Sequence, residues 1–246
     1  GFDIVMGNPP YVRQESIAAP VVHGVQVTCD KMNKSASSRP YVYQAFPHFF
    51  GYKAGSPTVA HKINAKSDLY IYFYLHGLSL LNRNGSFCFI TSNSWLDVGY
   101  GADLQEFLLK HSHVKLVLDN QVKRSFANAG INSIIVLFSS PDDRREWALD
   151  ETARFVMFRV PFEHIIDPVI FDEIEEATER RATKEYRIFP ITQSKLLEDG
   201  CELPDEEEAE TGKTTGPFIK VTPYIGNKWG GKYLRAPDIY WTILEK

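Results

Sequence analysis

Gly1-Phe2-Asp3-Ile4-Val5-Met6-Gly7-Asn8-Pro9-Pro10-Tyr11 is the stretch whose reading decides the fold. Phe2, Ile4, Val5 and Met6 make a short apolar run, too brief for a helix and closed by Gly7, which reads as a buried strand of a parallel sheet. Asn8 precedes one proline and Pro9 another, so both are pushed to extended backbone and the four residues Asn8–Tyr11 hold one stiff shape. Open α/β sheets bind ligands where strands deliver such tips at their carboxyl ends. The side-chain carbonyl of Asn8 and the backbone carbonyl of Pro9 can accept hydrogen bonds from one exocyclic amine, and Tyr11 offers a flat face for stacking. That suits an aromatic amine such as adenine. A bare Asn-Pro-Pro would otherwise be a proline-bracketed turn with an Asn cap; the apolar strand before it and the aromatic after it favour the receptor.

Further strands and helices follow. Ser67 or Asp68 suits a helix cap, and Leu69, Phe73, Leu75, Leu78, Leu80 and Leu81 give an apolar stripe closed by Asn82-Arg83-Asn84-Gly85. Ser86–Thr91 is the next buried strand, Ser92-Asn93-Ser94-Trp95-Leu96 follows at its carboxyl end, and Gly99-Tyr100-Gly101 leads into a helix running through Lys110. This Gly-x-Gly lacks the third glycine of a nucleotide fingerprint and is not read as a phosphate loop. Val114–Leu118 and Ile131–Phe138 are strands separated by a loop with Lys123, Arg124 and Phe126. Residues 154–160 suggest one more strand, residues 167–181 a charged helix, and residues 196–216 an acidic, then Gly/Thr-rich linker.

The Asn8-Pro9-Pro10-Tyr11 tip after Phe2-Asp3-Ile4-Val5 resembles the catalytic motif of amino-group DNA methyltransferases that modify N6 of adenine. Lys66-Ser67-Asp68-Leu69-Tyr70 with Phe73, the segment Phe89–Leu96, the segment Asp119–Asn132 and Gly226–Arg235 extend the resemblance to the type IIG restriction-modification enzymes, in which endonuclease and methylase share one polypeptide. The resemblance implies a partial Rossmann-like α/β methyltransferase fold, the C-terminal half of the sheet ending in an antiparallel hairpin at its edge, with an α/β C-terminal extension. It implies a catalytic role for Asn8, Pro9, Pro10 and Tyr11, and stacking of the target base on Tyr11 and Phe126. Asp68 and Tyr70 would lie on the active-site side of their helix, or serve only as a cap and a packing residue.

The implied cofactor is S-adenosylmethionine. Its glycine-rich turn and acidic residue are absent, so the chain is expected to begin at the family's fourth strand and to be an inactive fragment, with the cofactor half, recognition domain and any nuclease elsewhere in a parent polypeptide. The expected division is a catalytic half over residues 1–140, a connecting segment over 141–211 and a lead-in to the target recognition domain over 212–246.

Double-stranded DNA is the implied partner, and the net charge of −4 is at first sight wrong for it. The charge is uneven, however. Residues 12–66 carry Arg13, Lys31, Lys34, Arg39, Lys53, Lys62 and Lys66 against Glu15 and Asp30; residues 211–246 carry Lys213, Lys220, Lys228, Lys232, Arg235 and Lys246 against Asp238 and Glu245. Both segments can face phosphates or be ordinary solvated surface. Arg13, Lys123, Arg124, Lys228, Lys232 and Arg235 are the candidate DNA contacts. Residues 12–66 read as a long irregular excursion on the substrate side, or as a disordered insert.

Cys29, Cys88 and Cys201 show neither disulfide nor zinc spacing, and no metal site is expected. No apolar run reaches membrane-span length, so no membrane partner and a cytoplasmic location are expected. Two other classes remain open: a DNA-binding or specificity module with a degenerate tip, and an amino-group methyltransferase acting on RNA or protein Gln.

Overall fold

The computed structural model describes residues 1–13, 16–17, 21–22, 25–26, 39–54, 59–120, 132–161, 164–165, 167–201 and 223–244. In chain order these form β1 (Phe2–Gly7), a short pair β2 (Val21–Val22) and β3 (Val25–Gln26), α1 (Arg39–Ala45), α2 (Pro47–Phe50), α3 (Leu69–Ser79) and β4 (Leu81–Ser92). Then come α4 (Ala102–His111), β5 (Val114–Asn120), β6 (Ser133–Ser139), β7 (Thr152–Phe158), α5 (Pro168–Glu176), β8 (Arg181–Ala182), β9 (Tyr186–Thr192), α6 (Gln193–Glu198) and α7 (Asp238–Leu244). Seven strands make one mixed sheet in the order β1-β4-β6-β5-β7-β9-β8. β1 runs parallel to β4 and β5 parallel to β7, while β6 lies antiparallel between β4 and β5.

The expected α/β class and the β5–β6 hairpin are present, but two expectations about the sheet are corrected. The hairpin does not end the sheet: β6 pairs with β4 and β5 with β7, so both of its strands are interior. β1 is instead at one edge, with β8 at the other, and it is not buried. Phe2, Ile4 and Met6 alternate onto one face and are 60%, 62% and 71% exposed, whereas Val5 on the other face packs against the core. The apolar run reported a strand with two covered faces; only one is covered here.

On the covered face, α3 reaches β4 at Gly77, where a Cβ would meet the Phe87 ring at 2.7 Å. Tyr74, wholly buried, sits among Phe87, Phe89, Trp95 and Phe138 with ring centroids 5.5–6.0 Å away. The helix has no simple stripe: Tyr70, Ile71, Tyr72, Tyr74, Leu75 and Leu78 are buried, and Phe73 and Leu80, expected inside, are exposed. A helix apolar almost all round is one covered on most sides. Part of that cover comes from the segment expected to be irregular. Tyr43, Phe46, Phe49 and Phe50 on α1, α2 and the junction between them are buried, and Phe46 and Phe49 pack on Phe107 of α4 at 4.6 and 5.1 Å.

A second, smaller core of Leu118, Val156, Phe158, Ile174, Tyr186 and Ile188 lies under α5, whose cap Asp167 accepts a hydrogen bond from the Val169 amide at 2.9 Å. The expected strand near 154–160 and the charged helix are thus found. The start of the expected linker is α6, ended by a bridge between Cys201 and Tyr224. Among the described residues no helix is long and apolar enough to cross a membrane.

Candidate active site

β1 and β4 are parallel and adjacent, so Asn8–Tyr11 and Ser92–Ser94 emerge side by side at their carboxyl ends. β6 runs the other way, which brings Asn132, just before it, to the same end. Together they frame a cleft of about 260 Å³ lined by Tyr11, Arg13, Asp68, Tyr70, Ser92, Asn93, Ser94 and Asn132. Asn8 is exposed rather than part of the core, and Pro9 behind it is buried, which fixes the direction of the tip.

Tyr11 ties the tip to the cleft. Its hydroxyl donates to Asn8 Oδ1 at 2.6 Å and reaches the Ile90 carbonyl at 3.1 Å. One proton cannot serve both fully, and the shorter contact takes the larger share. The side-chain carbonyl of Asn8 keeps its second lone pair for another donor. Burial raises the Tyr11 hydroxyl above its ordinary value, so it remains a donor.

Asp68 and Tyr70, which also line the cleft, belong to a chain of hydrogen-bonded hydroxyls. Asp68 occupies the cap position of α3 without capping it; its carboxylate accepts from the Tyr100 hydroxyl at 3.0 Å. Since that proton is used, the 2.7 Å contact between the two tyrosines has Tyr70 donating to Tyr100. Burial pushes Tyr100 up to about 12 and Tyr70 higher still. The unfolded phenol ionises near 10.0, so the stability from Tyr100 is complete below that pH and lost as pH rises toward about 12. Replacing Tyr100 by Phe is therefore expected to flatten the loss of stability across this alkaline window, measured by urea unfolding at stepped pH; an unchanged slope would count against the buried chain.

The predicted cations divide. Arg13 lines the cleft and Lys228 is exposed. Lys232 and Arg235, two of the candidate DNA contacts, are half-buried and ion-paired: Lys232 pairs with Asp199 at 2.5 Å, and Arg235 binds Asp97 and lies 3.6 Å from Asp119. Lys123, Arg124 and Phe126 fall outside the described residues; the described ends of their loop are Asn120 on β5 and Asn132 at the cleft. Among the described residues no group of three or more His, Cys, Asp and Glu is arranged to hold a metal ion.

Tyr100 and Asn132 were missed by sequence reasoning. For Tyr100 the signal was its glycine neighbours: a Cβ at Gly101 would come within 2.0 Å of the Trp95 carbonyl, so the glycine is there for close approach of two turns.

A family model described as Eco57I restriction-modification methylase matches residues 1–126. Similar curated proteins are the type II methyltransferase M.BstVI of Geobacillus stearothermophilus, 29% identical over 52% of this chain and 17% of its own length, and the type II methyltransferase M.PaeR7I of Pseudomonas aeruginosa, 27% identical over 48% and 15%. The chain thus spans about a sixth of the length of these relatives. Among solved structures, the type I restriction-modification system methyltransferase subunit from Streptococcus thermophilus superposes with a TM-score of 0.51 at 16% identity, over 80% of this chain and 35% of that one, a likeness of fold. With a match over half its length that takes in the strand and tip framing the cleft, the chain belongs to the Eco57I restriction-modification methylase family.

Proposed function

We propose that this chain carries the base-receiving face of a site-specific DNA methyltransferase that methylates N6 of adenine, within a larger type IIG restriction-modification polypeptide. The observation that carries the reading is that Tyr11, at the end of the Asn8–Tyr11 tip and hydrogen-bonded to Asn8, meets the Ser92–Ser94 turn in one cleft at the carboxyl ends of β1 and β4. At about 260 Å³ the cleft is just below the roughly 300–1,000 Å³ of ordinary small-molecule sites, room for one base rather than a nucleoside with its amino-acid tail. An adenine extruded from the duplex would lie against Tyr11 and Phe126, its amine directed at the Asn8 side-chain carbonyl and the Pro9 backbone carbonyl. These dipoles accept both N–H groups and stabilise the positive charge that grows on nitrogen as it attacks. Arg13, Lys123, Arg124 and Lys228 are the phosphate contacts of this reading; Lys232 and Arg235 are spent on carboxylates of the chain itself.

S-adenosylmethionine is the methyl donor of the reading, and the cleft does not fit it: the volume is small, and no glycine-rich turn lies among the lining residues. The open face of Phe2, Ile4 and Met6 is the surface on which a cofactor-holding part of the parent polypeptide would pack, because a parallel strand is normally covered on both sides. The divisions 1–140, 141–211 and 212–246 remain the proposed domain layout. DNA from cells carrying the full-length gene is expected to show N6-methyladenine at one sequence motif; absence of motif-specific methylation, or N4-methylcytosine in its place, overturns the reading.

The two functions of Tyr11 are separable. Tyr11→Phe keeps the ring and loses the contacts to Asn8 and Ile90, and is expected to lower single-turnover methylation less than about tenfold. Tyr11→Ala also removes the stacking face, worth roughly 1–3 kcal/mol per base, and should cost a further 5- to 150-fold. Equal losses in the two variants would assign the residue to loop anchoring alone.

A further inference from the structure

We propose that Gln105 on α4 and the segment Tyr224–Arg235 form a clamp that positions the cleft wall, making Gln105 a positioning residue of the methyl-transfer site; the inference rests on the methyltransferase reading above. The wall Ser92-Asn93-Ser94 continues into a three-residue 3-10 turn, Ser94–Leu96. So short a turn has little stability of its own. It is held from a sequence distance of more than 120 residues.

Gln105 is 1% exposed, and its amide is fully committed. Its nitrogen faces three carbonyls, Trp95 at 3.1 Å, Leu96 at 3.3 Å and Asn227 at 3.2 Å; its oxygen accepts from the Tyr224 hydroxyl at 2.7 Å and the Asn227 amide at 3.1 Å. Backbone carbonyls only accept and the Asn227 amide only donates, so the side chain has one workable orientation. Gly226, at φ +98, turns the chain so that both backbone groups of Asn227 meet Gln105, a conformation L side chains rarely adopt.

Two further side chains, Trp95 and Asp97, pin the same turn. Trp95 is wholly buried and meets the buried Trp229 edge-on at 5.7 Å. Asp97, just past the turn, accepts from the Gly231 amide at 2.8 Å and from Arg235. A Cβ on Gly230 would fall 2.5 Å from the Asp97 carboxylate, so glycine is what lets the segment close on it. The segment that reads in sequence like a basic approach to DNA thus acts on the turn that continues the cleft wall, and displacement of a reacting group by an ångström is enough to cost about 10²-fold in rate.

The test uses the full-length parent enzyme, with Gln105→Met and the milder Asp97→Asn as a second variant should the first fail to fold. Single-turnover methylation per active site, DNA affinity and amide hydrogen exchange are measured. The expected result is a 10- to 100-fold lower rate with DNA affinity within about threefold, and faster exchange confined to residues 93–101. Unchanged exchange, exchange accelerated throughout the sheet, or local loosening with an unchanged rate each overturns the clamp as a positioning device. If the unsubstituted enzyme methylates no DNA, the methyltransferase reading fails, and the exchange arm alone shows whether the clamp holds the turn.

Discussion

Replacing Asn8 by Ala in the full-length parent chain is expected to lower single-turnover methylation by about 10²–10³-fold while leaving DNA affinity within about threefold. A single pre-placed dipole aimed at developing charge contributes roughly 2.7–4 kcal/mol to a transition state. Asn8 is exposed, so truncating it leaves no cavity, and a surface substitution of this kind changes stability by about 0.5 kcal/mol or less. Tyr11 loses its 2.6 Å acceptor and retains the Ile90 carbonyl, which keeps the tip in place. The loss should therefore fall on the chemical step. A rate within about threefold of the unsubstituted enzyme would remove Asn8 from catalysis and favour the module with a degenerate tip. A parallel loss of DNA affinity would instead make the tip a docking element.

How much of this was legible in the sequence depended on whether the deciding physics was local. The tip was readable because glycine and two prolines act on their immediate neighbours. β5, β6 and the second half of β4 are readable as apolar runs; Leu81–Gly85, which read as the end of the preceding helix, form the polar first half of β4. Burial was not: whether Phe2, Ile4 and Met6 are covered depends on what lies beside β1, and the run has the same composition either way. The aromatics of residues 41–50 lie in the segment that reads in sequence as an irregular excursion, and Pro40 and Pro47 give no sign of a helix there. Both fall in the first turn of a helix, where proline's missing N–H costs nothing, and Tyr43, Phe46 and Phe50 keep helical spacing across the junction. The ion pairs of Lys232 and Arg235 were not legible because Asp199 and Asp97, which pair with them, are 33 and 138 residues away. Gln105 carried no local signal at all, since all its partners are backbone groups and a tyrosine brought in by the fold.

The same long-range contacts set the second large effect. Trp229→Ala is expected to destabilise the chain by about 3–5 kcal/mol, read from urea unfolding of the 246-residue protein. Trp229 is wholly buried and meets both Trp95 and Phe155 at 5.7 Å, so its removal opens a cavity between the cleft turn and β7. Trp241 on α7 provides the comparison: it is equally large and touches Phe189 and Tyr233 at 4.4 and 5.8 Å, yet it is only half-buried. Solvent can fill the space left by Trp241→Ala, and the expected cost is about 1–2 kcal/mol. The difference bears on where the catalytic unit ends. If residues 212–246 were only the approach to another domain, both tryptophans would matter little to the unfolding of the sheet. A Trp229→Ala cost below about 1 kcal/mol would support that division. A cost in the expected range would place Tyr224–Arg235 within the folding unit that shapes the cleft, and move the boundary of the proposed recognition segment beyond it.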